Sequence, residues 1–253
     1  MDAEGRRRDM LELIRRSGSA DVVRLAEEFA VSKETVRRDL NVLEGHGLIR
    51  RRHGGAYPMV RPGSEAILVS RSAPRVPEES RIAAAAAELL SEAETVFIDE
   101  GFTPQLIADA LPRDRPLTIV TASLPVVSAF ATSPQANVLL LGGRVRRGTT
   151  ATVDHWAVHM LSGFVIDLAF LSAEGISRTY GLTTPDPAVA EVKAQAIRVA
   201  RRRVLAGVHT KFGTASFCRF GEVGDLETIV TGAGLPVAEA HRYHLMGPKV
   251  LRV

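Results

Sequence analysis

A chain of 253 residues has room for one large domain or two smaller ones, and 45% hydrophobic residues are ample for a packed core. The single cysteine, Cys218, excludes an intramolecular disulfide and a cysteine-based zinc site, and a net charge of +3 is too small to argue a nucleic-acid partner by itself. The start, Met1 to Arg8, lacks the apolar stretch of a secretory signal, and no apolar run is long enough to cross a bilayer, so a cytoplasmic protein with no membrane partner is expected.

In chain order, a first helix is predicted from Glu4 to Arg16, where Met10, Leu11, Leu13 and Ile14 supply an apolar face and Gly18 stands just past the end. Asp21 suits the N-cap of a second helix, in which Val22, Leu25, Ala26 and Phe29 recur at helical spacing. After a break at Ala30-Val31, Ser32 caps a third helix with Glu34 in its first turn, where the dipole favours an anion. Val36, Leu40 and Leu43 form its buried stripe, leaving Lys33, Thr35, Arg37 and Arg38 on other faces, and Gly45 and Gly47 end it. Leu48 to Arg52 reads as a strand, His53-Gly54-Gly55 as a turn and Ala56-Tyr57 as the start of a return strand.

Two short helices around a tight turn, the second cationic near its start, are what docking in a major groove requires. The candidate DNA contacts are Ser32, Lys33, Thr35, Arg37 and Arg38 on the third helix, and Arg51, Arg52 and His53 at the hairpin tip. A run such as Arg50 to Arg52 alone is more often a solvated face; the combination with a capped third helix points to DNA. Asp39 is read as a salt-bridge or capping partner with no DNA role.

This segment resembles the helix-turn-helix of the DeoR family of bacterial regulators. Arg6, Met10 and Ile14, then Ser32, Thr35 and Val36 to Leu40, stand in the order and spacing of that family's signature, and Gly47 to Ala56 is similar to its usual wing. The resemblance implies that Ser32 to Arg38 contact double-stranded operator DNA.

Pro58, Pro62, Gly63 and Pro74 break any regular helix through the next stretch. The expected organisation is therefore a winged helix-turn-helix over 1–57, a linker over 58–76 and a larger domain over 77–253. That larger domain alternates. Strand-like runs at 95–99, 117–121, 137–141, 167–172, 203–208 and 228–231 are interleaved with helix-like stretches near 77–91, 104–111, 123–132, 155–161 and 187–200. The pattern predicts an α/β fold with a mainly parallel sheet, whose ligands bind beyond the carboxyl ends of the strands.

The loops at those ends supply the candidate effector-binding residues: Asp99, Gly101 and Thr103; Thr121 and Ser123; Gly142, Gly143 and Arg144; Glu174; and Lys211. Glycines let backbone N–H groups approach an anion, and Arg144 and Lys211 bring positive charge. The plainer alternative is that they are ordinary turn residues, which any such sheet needs.

From about Ser80 to Thr231 the chain resembles the DeoR-family sensor domain, which is similar in fold to ribose-phosphate and glucosamine-phosphate isomerases. The matching landmarks include Ile98-Asp99, Leu141-Gly142-Gly143, Glu174-Gly175-Ile176, Gly181-Leu182-Thr183, Glu191 with Lys193, and Lys211-Phe212-Gly213. The resemblance implies a repressor of carbohydrate genes whose DNA affinity is set by a phosphorylated sugar or related metabolite; operators of repeated half-sites one helical turn apart call for a dimer or tetramer, and no cofactor is expected. Glu100 and Phe102 stand where the family has small hydroxyl residues, Ala122 where Asn is common, Asp154 where Gly is common and Gly232 where Asp is common. Glu100 sets a carboxylate where a small hydroxyl residue would help hold a phosphate, and two like charges at ~4 Å repel by about 1 kcal/mol in water and by more in a partly buried site. Unless Glu100 points away, they predict an unusual effector or weak binding.

Two other readings are carried forward: a DNA-binding protein with a ligand-free sensor, and a sugar-phosphate isomerase or transferase using Glu174, Glu191, His209 and Lys211. Trp156 is read as packing, Cys218 as half-buried, Arg201 to Arg203 as a solvated helix end, and His155 with His159 as an unsupported metal pair, so no metal site is expected.

Overall fold

The computed structural model describes residues 3–17, 20–45, 49–52, 55–58 and 76–253. The chain divides into two units, Met1–Pro74 and Arg75–Val253. Residues 59–75 of the expected linker lie outside the described residues.

The first unit holds α1 (Ala3–Ser17), β1 (Ala20–Asp21), α2 (Val22–Glu28), α3 (Lys33–Gly45), β2 (Ile49–Arg52) and β3 (Gly55–Pro58). Asp21 caps α2, its carboxylate accepting from Val23 N at 2.9 Å and Arg24 N at 2.8 Å. The chain turns at Ala30 with φ 50°, and the Ser32 hydroxyl accepts from Thr35 N at 3.1 Å to start α3. Met10, Ile14, Leu25, Val36, Leu40 and Ile49 close one apolar core, as the helical spacings dictate. In the wing, β3 pairs antiparallel with β2 on one side and with β1 on the other. β1, at two residues, is too short to leave an alternating pattern.

The second unit runs α4 (Val76–Ala87), β4 (Thr95–Ile98), α5 (Phe102–Ala110), β5 (Leu117–Thr121), α6 (Leu124–Phe130), β6 (Ala136–Leu140), β7 (Arg144–Val145) and β8 (Thr152–Val153). It continues with α7 (His155–Ser162), β9 (Ile166–Leu171), β10 (Gly175–Ser177), β11 (Gly181–Thr184), α8 (Pro187–Val199), β12 (Ala200–Ala206), β13 (Cys218–Gly221), β14 (Thr228–Thr231), α9 (Val237–His244) and β15 (Lys249–Arg252). Seven strands form one parallel sheet in the order β15-β14-β12-β9-β4-β5-β6.

Side chains alternate across this sheet. Val96 and Ile98 pack with Ile82, Ile107 and Phe130 from α4, α5 and α6, while Phe97 packs on the other face with Leu161, Ala196 and Tyr243 from α7, α8 and α9. The α/β expectation is met, with helices on both faces and the strand ends free to build a site.

Arg201 to Arg203 lie inside β12 and not at a helix end. They are tolerated there because Arg201 pairs with Asp167 at 3.3 Å and Arg202 with Glu227 at 3.0 Å, on segments flanking the strand. Elements the pattern did not reveal are the antiparallel sheet β10-β11-β13, the β7–β8 ribbon, α9 and β15. Among the described residues no helix is long and apolar enough to cross a membrane.

Candidate DNA interface and sensor cleft

On α3, Ser32, Lys33, Glu34, Arg37 and Arg38 are exposed while Val36, Asp39, Leu40 and Leu43 are buried. The Ser32 cap and the Thr35 side chain are joined at 2.9 Å, which fixes the first turn of the helix. Arg37 reaches Glu34 at 3.5 Å with both side chains more than half exposed, a contact too weak and too wet to hold the guanidinium away from a ligand. Asp39 faces inward, within 2.8 Å of Arg6 Nε and 3.3 Å of Arg7 Nε, and so ties α3 to α1. Arg51 and Arg52 occupy β2, paired with Ala56 and Gly55; His53 lies outside the described residues.

At the carboxyl edge of the large sheet, Asp99 follows β4 and is almost fully buried. Its carboxylate takes the Lys193 ammonium from α8, and also accepts from Ser172 N at 2.8 Å and Ser172 Oγ at 3.1 Å. Lys193 further donates to Ser172 O at 3.1 Å. Burial alone would lower the Lys193 ammonium, but the carboxylates of Asp99, Glu174 and Glu100 outweigh it and hold it above the ordinary lysine value. The pair locks β4, β9 and α8 together.

Glu100 turns the other way. Its Oε1 lies 2.7 Å from Arg146 Nη1, and its Oε2 accepts from Thr149 Oγ1 at 2.6 Å. Arg146 also meets Asp186 Oδ2 at 3.2 Å, and Asp186 caps α8 through Ala188 N at 2.9 Å. Burial raises the Glu100 carboxyl above its usual value, against the pull of Lys193 and Arg146. Asp99 and Glu100 thus each hold a separate cation.

The remaining loop residues divide into three groups. Thr121 and Ser123 are buried and inward-facing: Thr121 Oγ1 donates to Ile98 O at 2.6 Å and accepts from Ser123 N at 3.0 Å. Thr103 is buried in the first turn of α5, and Gly101 is its N-cap at φ 116°. Gly142, Gly143 and Arg144 instead line an open cavity of about 790 Å³, with Asp154, His155, Trp156, Met160 and Glu191. Glu174 is exposed, and Lys211 is half-buried in a short 3-10 turn, His209–Lys211; neither lines that cavity.

Two features of the cavity follow from backbone geometry. Gly143 has φ 137°, and a Cβ there would stand 2.1 Å from Val153 O across the β7–β8 ribbon, so no other residue fits. Asp154 has φ 81°, a glycine-like conformation, and its carboxylate holds Arg144 at 2.9 Å. Trp156 is corrected from packing to cavity wall: it is 60% exposed and tilts against His155 with ring centroids 4.7 Å apart, because α7 turns its Ala157 and Leu161 face to the core. No cluster of metal-ligating side chains occurs among the described residues.

The sequence reading missed Arg146, Thr149, Ser172 and Asp186, and held Lys193 only as a landmark. Lys193 did leave a signal, as a cation in the apolar stripe of Val189, Val192, Ala196 and Ile197. Arg146 left none, since a ribbon arginine reaching a glutamate 46 residues away has no local pattern.

A winged helix-turn-helix in one chain with an α/β unit bearing a ligand-sized cleft defines a DNA-binding transcriptional regulator. The family model of the DeoR-like helix-turn-helix domain matches residues 6–59, and that of the DeoR C terminal sensor domain matches residues 75–233. The chain belongs to the DeoR family. It is 33% identical to the HTH-type transcriptional regulator GlpR of Haloferax volcanii, over 91% of this chain and 90% of that one. It is 32% identical to the glycerol-3-phosphate regulon repressor of Escherichia coli K12, over 92% of each chain. A solved structure with likeness is ribose 5-phosphate isomerase A from Methanocaldococcus jannaschii, 14% identical over 55% of each chain with a TM-score of 0.39.

Proposed function

We propose that this chain represses genes of carbohydrate use by binding operator DNA through residues 1–57, and that a phosphorylated sugar or related metabolite, bound by the unit over 77–253, changes that affinity. The observation that carries the reading is the exposed start of α3, where the Ser32 cap sets Lys33, Arg37 and Arg38 outward from a helix fastened to α1 by Asp39. Ser32, Lys33, Thr35, Arg37 and Arg38 reach the major groove, with Arg51, Arg52 and His53 on the neighbouring backbone. The names of the relatives, a glycerol-3-phosphate regulon repressor among them, support a phosphorylated effector.

The effector lies against Gly142, Gly143 and Arg144, while Asp99, Thr103, Thr121 and Ser123 hold the loops that frame it. Gly101, Glu174 and Lys211 stand on other strand-end loops, outside the lining of that cavity. The chain works as a symmetric oligomer in the cytoplasm, matching paired half-sites, and it senses its ligand without turning it over.

Fluorescence anisotropy with DNA from the gene's own upstream region, titrated with phosphorylated sugars and polyols, tests this. Tight, salt-dependent binding that one such compound weakens is the expected result. Tight binding that none of them alters supports a ligand-free sensor instead, and turnover of the compound supports an enzyme.

A further inference from the structure

Arg146 and Thr149, on the turn between β7 and β8, converge on a single anion, the Glu100 carboxylate. A guanidinium and a hydroxyl aimed at two oxygens of one acid are the donors that hold a phosphate monoester. The ribbon carrying them is firmly placed: Thr152 N donates to Ala122 O at 2.8 Å, Thr152 Oγ1 to Leu141 O at 2.6 Å, and Leu124 N to Thr150 O at 3.2 Å. Glu100 sits on the short connection into α5, a helix of nine residues that starts at Gly101 without a side-chain cap, so its positive end adjoins residue 100. The neighbouring cations are committed elsewhere, Lys193 to Asp99 and Arg144 to Asp154.

The geometry points to Arg146 and Thr149 as an anion cradle of the sensor unit, with Glu100 as its built-in occupant, which the phosphate of an effector displaces. This rests on reading the unit as an effector site. The exchange is physically favourable in two ways. Glu100 is held where burial opposes its charge, so its carboxylate regains hydration on swinging out. A phosphate brings ~1.5–2 negative charges and three acceptor oxygens to the same donors, where the carboxylate brings one charge and two oxygens. Arg146 also holds Asp186 at the start of α8, so a new occupant changes the load on three segments at once: the ribbon, the β4–α5 connection and the head of α8. In this account Glu100 sets the concentration at which the sensor responds.

The test is calorimetric titration of the full chain with inorganic phosphate as the probe. Glu100→Gln keeps the size of the side chain and removes its charge. It should bind phosphate about tenfold more tightly than the unaltered chain. Adding Arg146→Gln should abolish the gain. Thr149→Val, which leaves the ion pair in place, should weaken phosphate binding several-fold even if Glu100→Gln folds poorly. A purely structural ion pair gives the opposite: Glu100→Gln unfolds more readily and gains no affinity. That result, a gain that survives Arg146→Gln, or no phosphate binding by any of the chains overturns the proposal. Operator affinity measured on the same samples separates the two readings. An operator response to a sugar phosphate that persists in Arg146→Gln removes the cradle and leaves the effector reading standing. Phosphate capture through Arg146 with no operator response does the reverse.

Discussion

Lys193 of α8 and Asp99 after β4 form a buried ion pair, with side chains only 2% and 3% exposed. Asp99 is thereby a framework residue: its carboxylate positions Ser172 and the head of the β4–α5 connection, and does not face the cavity. Removing one partner strands the other charge in a dry site. Lys193→Met should cost about 3–5 kcal/mol, and Lys193→Met with Asp99→Leu should recover much of it. Urea unfolding followed by the fluorescence of Trp156, the sole tryptophan, reports on this unit. Equal losses in the single and double variants would count against the pair.

Asp39 plays the corresponding part in the first unit. Its two arginine partners come from α1, and it is buried on the face of α3 away from Lys33 and Arg38. Asp39→Ala should lower local stability by about 1–3 kcal/mol. Hydrogen exchange should show α1 and α3 opening together, and DNA affinity should fall alike for all sequences. A loss confined to one operator sequence would mean that Asp39 reads bases.

Arg37→Ala and Arg38→Ala separate base reading from backbone grip. An arginine paired with a guanine should cost ~1–3 kcal/mol on the cognate site only. One that meets only phosphate should weaken every sequence and make the salt slope shallower by about 1. Unchanged affinity and slope in both variants would remove α3 as the recognition helix.

Gly143→Ala places a Cβ against Val153 O in a backbone conformation that other residues resist. The strain should cost about 1–3 kcal/mol and loosen the β7–β8 ribbon that carries Arg144 and Arg146. Thermal unfolding together with phosphate titration measures both effects; a variant as stable as the unaltered chain would mean that the ribbon relaxes freely.

Asp167 accepts from Thr95 Oγ1 at 2.7 Å, Thr95 N at 3.0 Å and Glu94 N at 3.2 Å. The Thr95 hydroxyl, against a smaller opposing push from burial and aided by these amides and Arg201, holds the carboxyl below the usual aspartate value. A depressed carboxyl contributes stability that is present above its unfolded pKa and is lost as pH falls through its folded value. Asp167→Asn should therefore destabilise the chain at neutral pH, with the difference from the unaltered chain closing in acid. A difference that is constant with pH would show that the charge is immaterial.

The helix-turn-helix was legible because its determinants are local: the caps Asp21 and Ser32, and apolar spacings within one or two turns. β4, β5, β9 and β14 were legible as apolar runs buried on both faces, and the edge strand β15, with its exposed ends, was not. β12 was partly hidden by Arg201 to Arg203, whose partners Asp167 and Glu227 are distant in sequence. β10, β11 and β13 are three or four residues long and acquire their meaning from pairing with one another. The cleft suffered most. Loop position identified Asp99, but its role depends on Lys193, 94 residues further on. Arg146 and Thr149 became visible only once the ribbon brought them to Glu100.

The proposed coupling of effector and operator runs through one chain. Its most direct test is a pair of titrations in one buffer: operator affinity with and without the active sugar phosphate, and sugar-phosphate affinity with and without operator. Linkage requires the two ratios to agree, and a value of about 5–150-fold is expected. An effector that binds in the sensor unit while operator affinity stays unchanged would contradict the account.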